Sequence, residues 1–121
     1  MDETEFEALA ERALNRIEAA LEESAVDADI ERKEGGVLEL EFADGAKLII
    51  NRHSAAREIW LAARSGGFHF RWDGSSWRGT RDNAELFAAL SKLVSAHSGH
   101  PVILRPSAGG AGGSGSRGGE G

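Results

Sequence analysis

The spacing of apolar residues in this chain changes twice, and that double switch leaves few folds open. Over residues 3–24, Phe6, Leu9, Ala10, Ala13, Ile17, Ala20 and Leu21 recur at intervals of three and four, the period of an amphipathic helix. Asp2 and Thr4 each have a glutamate three residues later, the capping-box pattern of a helix start. From about residue 29 the period becomes two. Leu38, Leu40 and Phe42 alternate with Glu39 and Glu41, Asp44-Gly45 offers a tight turn, and Lys47 to Arg52 reads as the returning strand. Ile59 and Leu61 alternate with Glu58, Trp60 and Ala62, and Phe68, Phe70 and Trp72 alternate with His69 and Arg71. Asp73-Gly74 turns the chain again before a short strand around Trp77. The helical period then returns in Leu86, Phe87, Leu90, Leu93 and Val94, with Asp82 and Glu85 as a second capping box and an end near Gly99 and Pro101.

Helix, five or six short hairpin-linked strands, helix is the order of an antiparallel meander with two amphipathic helices to cover it. The expected fold is therefore α+β, a two-layer sandwich with the N- and C-terminal helices on one face of the sheet. The other sheet face is left to solvent. Val102-Ile103-Leu104 is expected to pack back onto the domain. The domain is expected to span residues 1–106, because residues 107–121 hold eight of the 16 glycines and read as a Gly/Ser-rich disordered tail.

The chain has no cysteine, which excludes disulfides, thiolate zinc sites, a cysteine nucleophile and iron–sulfur clusters held by its own thiolates. No apolar run reaches the roughly 18 residues of a membrane span. The opening Met1-Asp2-Glu3-Thr4-Glu5 is acidic where a secretory signal is basic, so a cytoplasmic protein is expected. No nucleophile elbow, glycine-rich phosphate loop or His-Glu-x-x-His helix occurs, and nothing argues for an enzyme.

The net charge of −6 hides two unlike parts. Residues 1–31 carry 11 acids against Arg12 and Arg16, a balance of −9, while residues 32–121 stand at +3. Such a polarity disfavours a nucleic-acid surface in the first third and favours a cation or a basic partner. On helical geometry Glu3, Glu7, Glu11, Glu18 and Glu22 share a stripe about 100° wide beside the apolar face, with Arg12 and Arg16 on the opposite flank. The macrodipole accounts for acids in the first turn but not for Glu18, Glu22 and Glu23 near the end, where it disfavours anions. Asp27, Asp29 and Glu31 would project together from one side of the first strand and extend the stripe into a ridge. Carboxylates without Cys or His beside them are hard oxygen ligands suited to Fe, Mn, Ca or Mg. A solvated acidic face that keeps the domain soluble explains the same pattern.

Trp60 is the second feature that the fold does not require. If Ile59 and Leu61 face the helices, Trp60 faces outward and is a candidate interface anchor, with Asn51, Arg52, His69 and Arg71 around it. A tryptophan half covered at the sheet edge is the plainer alternative. His53, His69, His97 and His100 have no partner ligand in sequence, and His97 and His100 read as surface residues.

The series Leu48-Ile49-Ile50-Asn51-Arg52, Ile59-Trp60-Leu61-Ala62, Gly66-Gly67-Phe68-His69-Phe70 and Trp77, following an acidic helix and an acidic first strand, resembles bacterial frataxin of the CyaY type over about residues 3–98. That resemblance implies an iron-binding protein that modulates iron–sulfur cluster assembly by contacting a cysteine desulfurase and a scaffold protein. It implies that Glu18, Glu22, Glu23, Asp27, Asp29 and Glu31 form the iron ridge, with Glu7 and Glu11 further along the helix. It places Asn51, Arg52 and Trp60 on the sheet surface that meets the assembly machinery. The expected cofactor is weakly bound Fe2+ or Fe3+, on a monomer or an iron-dependent oligomer, with neither nucleic acid nor membrane as partner. An acidic interaction module with incidental metal binding, and a ferroxidase, are the competing expectations.

Overall fold

The computed structural model describes residues 1–24 and 26–105, and the expected tail at 107–121 lies outside the described residues. Helix α1 runs over Glu3–Glu23, strands β1 to β6 over Ala28–Lys33, Val37–Phe42, Lys47–His53, Glu58–Ala63, Gly66–Trp72 and Trp77–Gly79, and helix α2 over Leu86–Ser98. The strands form one antiparallel sheet in the order β1-β2-β3-β4-β5-β6, so every neighbour in space is a neighbour in sequence. Both helices pack against it, as the two-layer α+β reading expects.

The apolar stripe of α1 decides which way that helix faces. Phe6, Ala10, Ala13, Leu14, Ile17, Ala20 and Leu21 are buried, and their sheet counterparts are the alternate residues Leu38, Leu40, Leu48, Ile50, Ile59, Leu61 and Phe70. Burying each leucine, isoleucine or phenylalanine of this set contributes about 1.5–3 kcal/mol, which explains why the strands hold one register. The start of α1 is a capping box: the Asp2 carboxylate accepts from the Glu5 amide at 2.8 Å, and Glu5 reaches back to the Asp2 amide at 3.2 Å.

Helix α2 begins later than its sequence pattern predicts. Glu85 is the N-cap, accepting from the amides of Phe87 and Ala88, whereas Asp82 closes a local turn onto the Ala84 amide. Gly99, with φ of 77°, ends α2 in the left-handed conformation that glycine adopts without steric cost. The following segment packs back as expected. Val102 and Leu104 are buried, and their amides donate to the hydroxyls of Ser95 and Ser91, both at 2.8 Å. Those serines lie one turn apart on α2 and stand in for a partner strand.

Period-two alternation now fixes the outward face. In register across the sheet, Asp29 faces Glu41, Glu31 faces Glu39, and Asn51, Trp60 and His69 form one row. A second row runs His53, Glu58, Arg71 and Arg78.

Candidate functional site

Two arginines interrupt the acidic edge of α1. Arg32 belongs to the inward-facing set of β1 with Ala28 and Ile30, and at the edge of the sheet its guanidinium meets the helix instead of the core. It donates to Glu11 at 2.6 Å, to Glu18 at 2.9 Å and to Asn15 at 3.0 Å. Arg52 reaches Glu11 at 3.4 Å. Its stem lies over Gly36, where a Cβ would come within 2.7 Å of it, so the glycine of the β1–β2 turn leaves the path open. Glu7 accepts from the Ser54 hydroxyl at 3.1 Å.

The expected ridge therefore divides. Glu7, Glu11 and Glu18 are held by partners from the sheet, while Glu22, Glu23, Asp27, Asp29 and Glu31 are exposed and form no ion pair among the described residues. Asp29 and Glu31 project from the face of β1 opposite to Arg32, so the acidic surface turns the corner of the edge strand. It continues there onto Glu39 and Glu41, which the sequence reading took only as alternation. Like charges directly opposite on neighbouring strands are destabilising. Lys33 and Lys47 relieve one such pair by holding Glu39 at 2.9 and 3.1 Å, and those hydrogen bonds lower its pKa. The Asp29–Glu41 pair has no such clamp among the described residues.

Arg52 is a correction. It was expected beside Asn51 and Trp60, but alternation turns it to the helix side, where it pairs with Glu11. Asn51 and Trp60 do share the outward face. Trp60 is half-buried rather than free, because its indole is stacked between two imidazoles, His53 at 3.7 Å with planes 10° apart and His69 at 4.5 Å with planes 8° apart. Its Nε1–H donates to Glu58 at 2.8 Å, and the other oxygen of Glu58 accepts from Arg71 Nε at 2.8 Å.

Glu58 is the buried charge of this face, 6% exposed. Burial pushes its pKa up, but the hydrogen bonds from Trp60 and Arg71 and the nearby Arg71 and His69 outweigh that, and the net shift is downward. The carboxylate thus fixes the ring that it holds. The sequence reading missed His53 and Glu58. Their signal was available, since both lie on the outward set, Glu58 two residues before Trp60 and His53 two after Asn51. His97 is a further correction: expected at the surface, it stacks on Phe42 at 4.7 Å and lies 3.4 Å from Asp44.

A family model described as Frataxin-like domain matches residues 1–100. The iron–sulfur cluster assembly protein CyaY of Dechloromonas aromatica is 64% identical over 105 residues, covering 87% of this chain and all of its own length. The chain belongs to the bacterial CyaY-type frataxin family. A frataxin from Psychromonas ingrahamii has the same fold, with a TM-score of 0.80 at 32% identity over 87% of this chain and 99% of its own. A trimeric yeast frataxin complexed with ferrous iron matches at a TM-score of 0.60 and 24% identity, covering 82% of this chain and 88% of its own, a likeness of fold. This frataxin has no helix among the described residues long and apolar enough to cross a membrane.

The donor set of the edge fits a hard cation in kind, since it offers carboxylate oxygen alone. Among the described residues no three His, Asp or Glu side chains converge into a ready cage. A cation on this edge would be held by exposed, non-convergent carboxylates and keep much of its water.

Proposed function

We propose that this frataxin collects iron on its carboxylate edge and serves iron–sulfur cluster assembly by docking on a cysteine desulfurase and a scaffold protein. Family membership supports the pathway, and the relative from Dechloromonas aromatica carries the name of that process. The observation that carries the site is the run of exposed carboxylates Glu22, Glu23, Asp27, Asp29 and Glu31, left without ion pairs among the described residues while Arg32 and Arg52 attend to their neighbours. Glu22 and Glu23 stand at the end of α1 that the macrodipole makes unfavourable for anions, with no basic residue in the last turn. Glu11 and Glu18, whose charge is shared with arginine, act as a second tier, together with Glu7, which is held by the Ser54 hydroxyl. Trp60 and Asn51 meet the partner surface, and the iron is cargo rather than a resident group.

A second reading has its own support. The absence of a convergent trio among the described residues favours an acidic interaction module on which metal is incidental. Anaerobic thermal melts with Fe2+ separate the two. A ligand present at 100 times its dissociation constant raises native-state stability by about 2.7 kcal/mol. A rise that disappears in the triple variant Glu22→Gln, Asp29→Asn, Glu31→Gln is expected. No rise, or the same rise in the variant, removes the iron role. If charge reversal at those positions then still abolishes desulfurase capture under chelation, the interaction module is the correct reading.

A further inference from the structure

The two bases in the first 31 residues, Arg12 and Arg16, are placed as if to avoid every one of the 11 acids there. The residues one turn from Arg12 are Ala8, Leu9, Asn15 and Arg16, and those one turn from Arg16 are Arg12, Ala13, Ala19 and Ala20. No helical ion pair is open to either. They form instead a like-charge pair four apart, an arrangement that destabilises a helix. Among the described residues neither makes a salt bridge. This is the opposite of Arg32 and Arg52, which are spent on neighbouring glutamates.

Both arginines line a cavity of about 190 Å³ between α1 and the β5–β6 hairpin. Its floor is apolar, from Leu9 and Ala13 on the helix and Phe87 at the start of α2. Its wall is the aromatic pair Trp72 and Trp77, with ring centroids 5.5 Å apart. One carboxylate, Glu85, also lines it, but both its oxygens are engaged in capping α2 through the amides of Phe87 and Ala88, at 2.9 and 3.1 Å. The cleft thus joins two unpartnered guanidinium groups to an apolar floor.

We infer that this cleft is a binding site for a short-chain dicarboxylate. Side chains four apart on a helix start about 5–6 Å from each other, and each guanidinium takes one carboxylate in a two-pronged hydrogen bond. The carboxyl carbons of a diacid with a two- or three-carbon chain stand roughly 4–5 Å apart at ordinary bond lengths, a little less than that spacing, and the long arginine stems can close the difference while the chain falls on the apolar lining. The volume is below the roughly 300–1,000 Å³ of pockets for larger ligands, which selects a compact acid over a nucleotide. The site lies on the flank of α1 away from the carboxylate edge, so it does not depend on the iron reading.

NMR titration of the full chain with succinate, acetate and inorganic phosphate tests this. Succinate is expected to move the Trp72 and Trp77 indole N–H signals and the amides of residues 9–16, with acetate at least about tenfold weaker because it engages one arginine only. Arg12→Gln and Arg16→Gln are each expected to weaken succinate by about tenfold, and the double variant to abolish the response. Arg12→Lys keeps the charge but not the fork and is expected to fall between wild type and Arg12→Gln. Both arginines are exposed, and unchanged amide shifts elsewhere confirm an intact fold. Acetate equal to succinate, or a double variant that still responds, overturns the site. Phosphate equal to succinate overturns the two-carboxylate match.

Discussion

The carboxylate edge and the Trp60 face were built by opposite means. On the edge, charge is left over: exposed acids follow one another from the end of α1 into β1, and among the described residues only Glu11, Glu18 and Glu39 of this edge have cationic partners close by. On the face nothing is left over. Trp60 is stacked on both sides, its one donor is used, and the acceptor that uses it is itself shared with Arg71. A mobile, uncompensated surface suits long-range attraction and exchangeable ions, whereas a fixed aromatic suits a contact that must form with one geometry. Under the proposed function, the first would set how quickly a basic partner arrives and the second how long it stays.

The largest expected effect breaks the face. Trp60→Ala should weaken capture of the scaffold–desulfurase assembly by about thirtyfold or more, the magnitude of an interface anchor worth at least about 2 kcal/mol. Calorimetric titration reads the affinity, and a kinetic binding measurement is expected to put the loss in lifetime rather than in association rate. Unchanged affinity would show that the fixed indole serves the fold alone.

Next in size is Glu58→Ala, which removes the acceptor common to Trp60 and Arg71. It is expected to cost about 1–3 kcal/mol of stability, since donors on a half-buried face lose their partner. Its acid sensitivity follows from the sign of the shift. The folded pKa lies below the ordinary glutamate value of 4.5, so this contribution is present above that value and lost as pH falls through the folded one. Urea denaturation at a series of pH values between neutrality and acid checks it. The variant should show a shallower acid decline than wild type, and a parallel decline would mean that Glu58 is not what binds the proton.

How much of this could be read from the sequence differs between the two regions for a physical reason. The switch from helical to alternating period locates α1, five of the strands and the short β6, because burial enforces those periods. It also puts Asn51 and Trp60 outward and Asp29 and Glu31 together. What alternation does not convey is where a long side chain ends. Arg32 and Arg52 are inward by parity, and both escape burial, Arg32 from the edge strand to Glu11 and Glu18 and Arg52 past Gly36 of the β1–β2 turn to Glu11, contacts between residues 14 to 41 apart in sequence. Reading Trp60 as outward likewise did not reveal its stacking. That depends on His53 and Glu58, which flank it only once β3 and β4 are paired. The cap of α2 was misplaced by three residues because Asp82 with Glu85 fits the capping-box pattern, whereas Asp82 closes a turn onto the Ala84 amide and Glu85, a residue not favoured at N-caps, itself caps the helix.

The smallest expected effect sharpens the edge. Arg32→Gln releases Glu18 and one oxygen of Glu11, whose other oxygen stays with Arg52, and extends the free acidic surface from the end of the helix back to Glu18. The stability cost should be small, about 0.2–1 kcal/mol for each partly exposed ion pair. Affinity for a divalent cation should rise, because one positive charge is removed and Glu18 is freed. At the effective dielectric of a protein surface one unit charge a few ångströms away is worth at most about 4 kcal/mol, and exchange of ions with solvent reduces that to a few-fold in binding. The same substitution should speed association with a basic partner at low ionic strength and leave dissociation alone, a difference that salt erases. If instead iron affinity falls, the arginine is part of what orders the ligands, and the exposed carboxylates beyond it act through Glu18 rather than beside it.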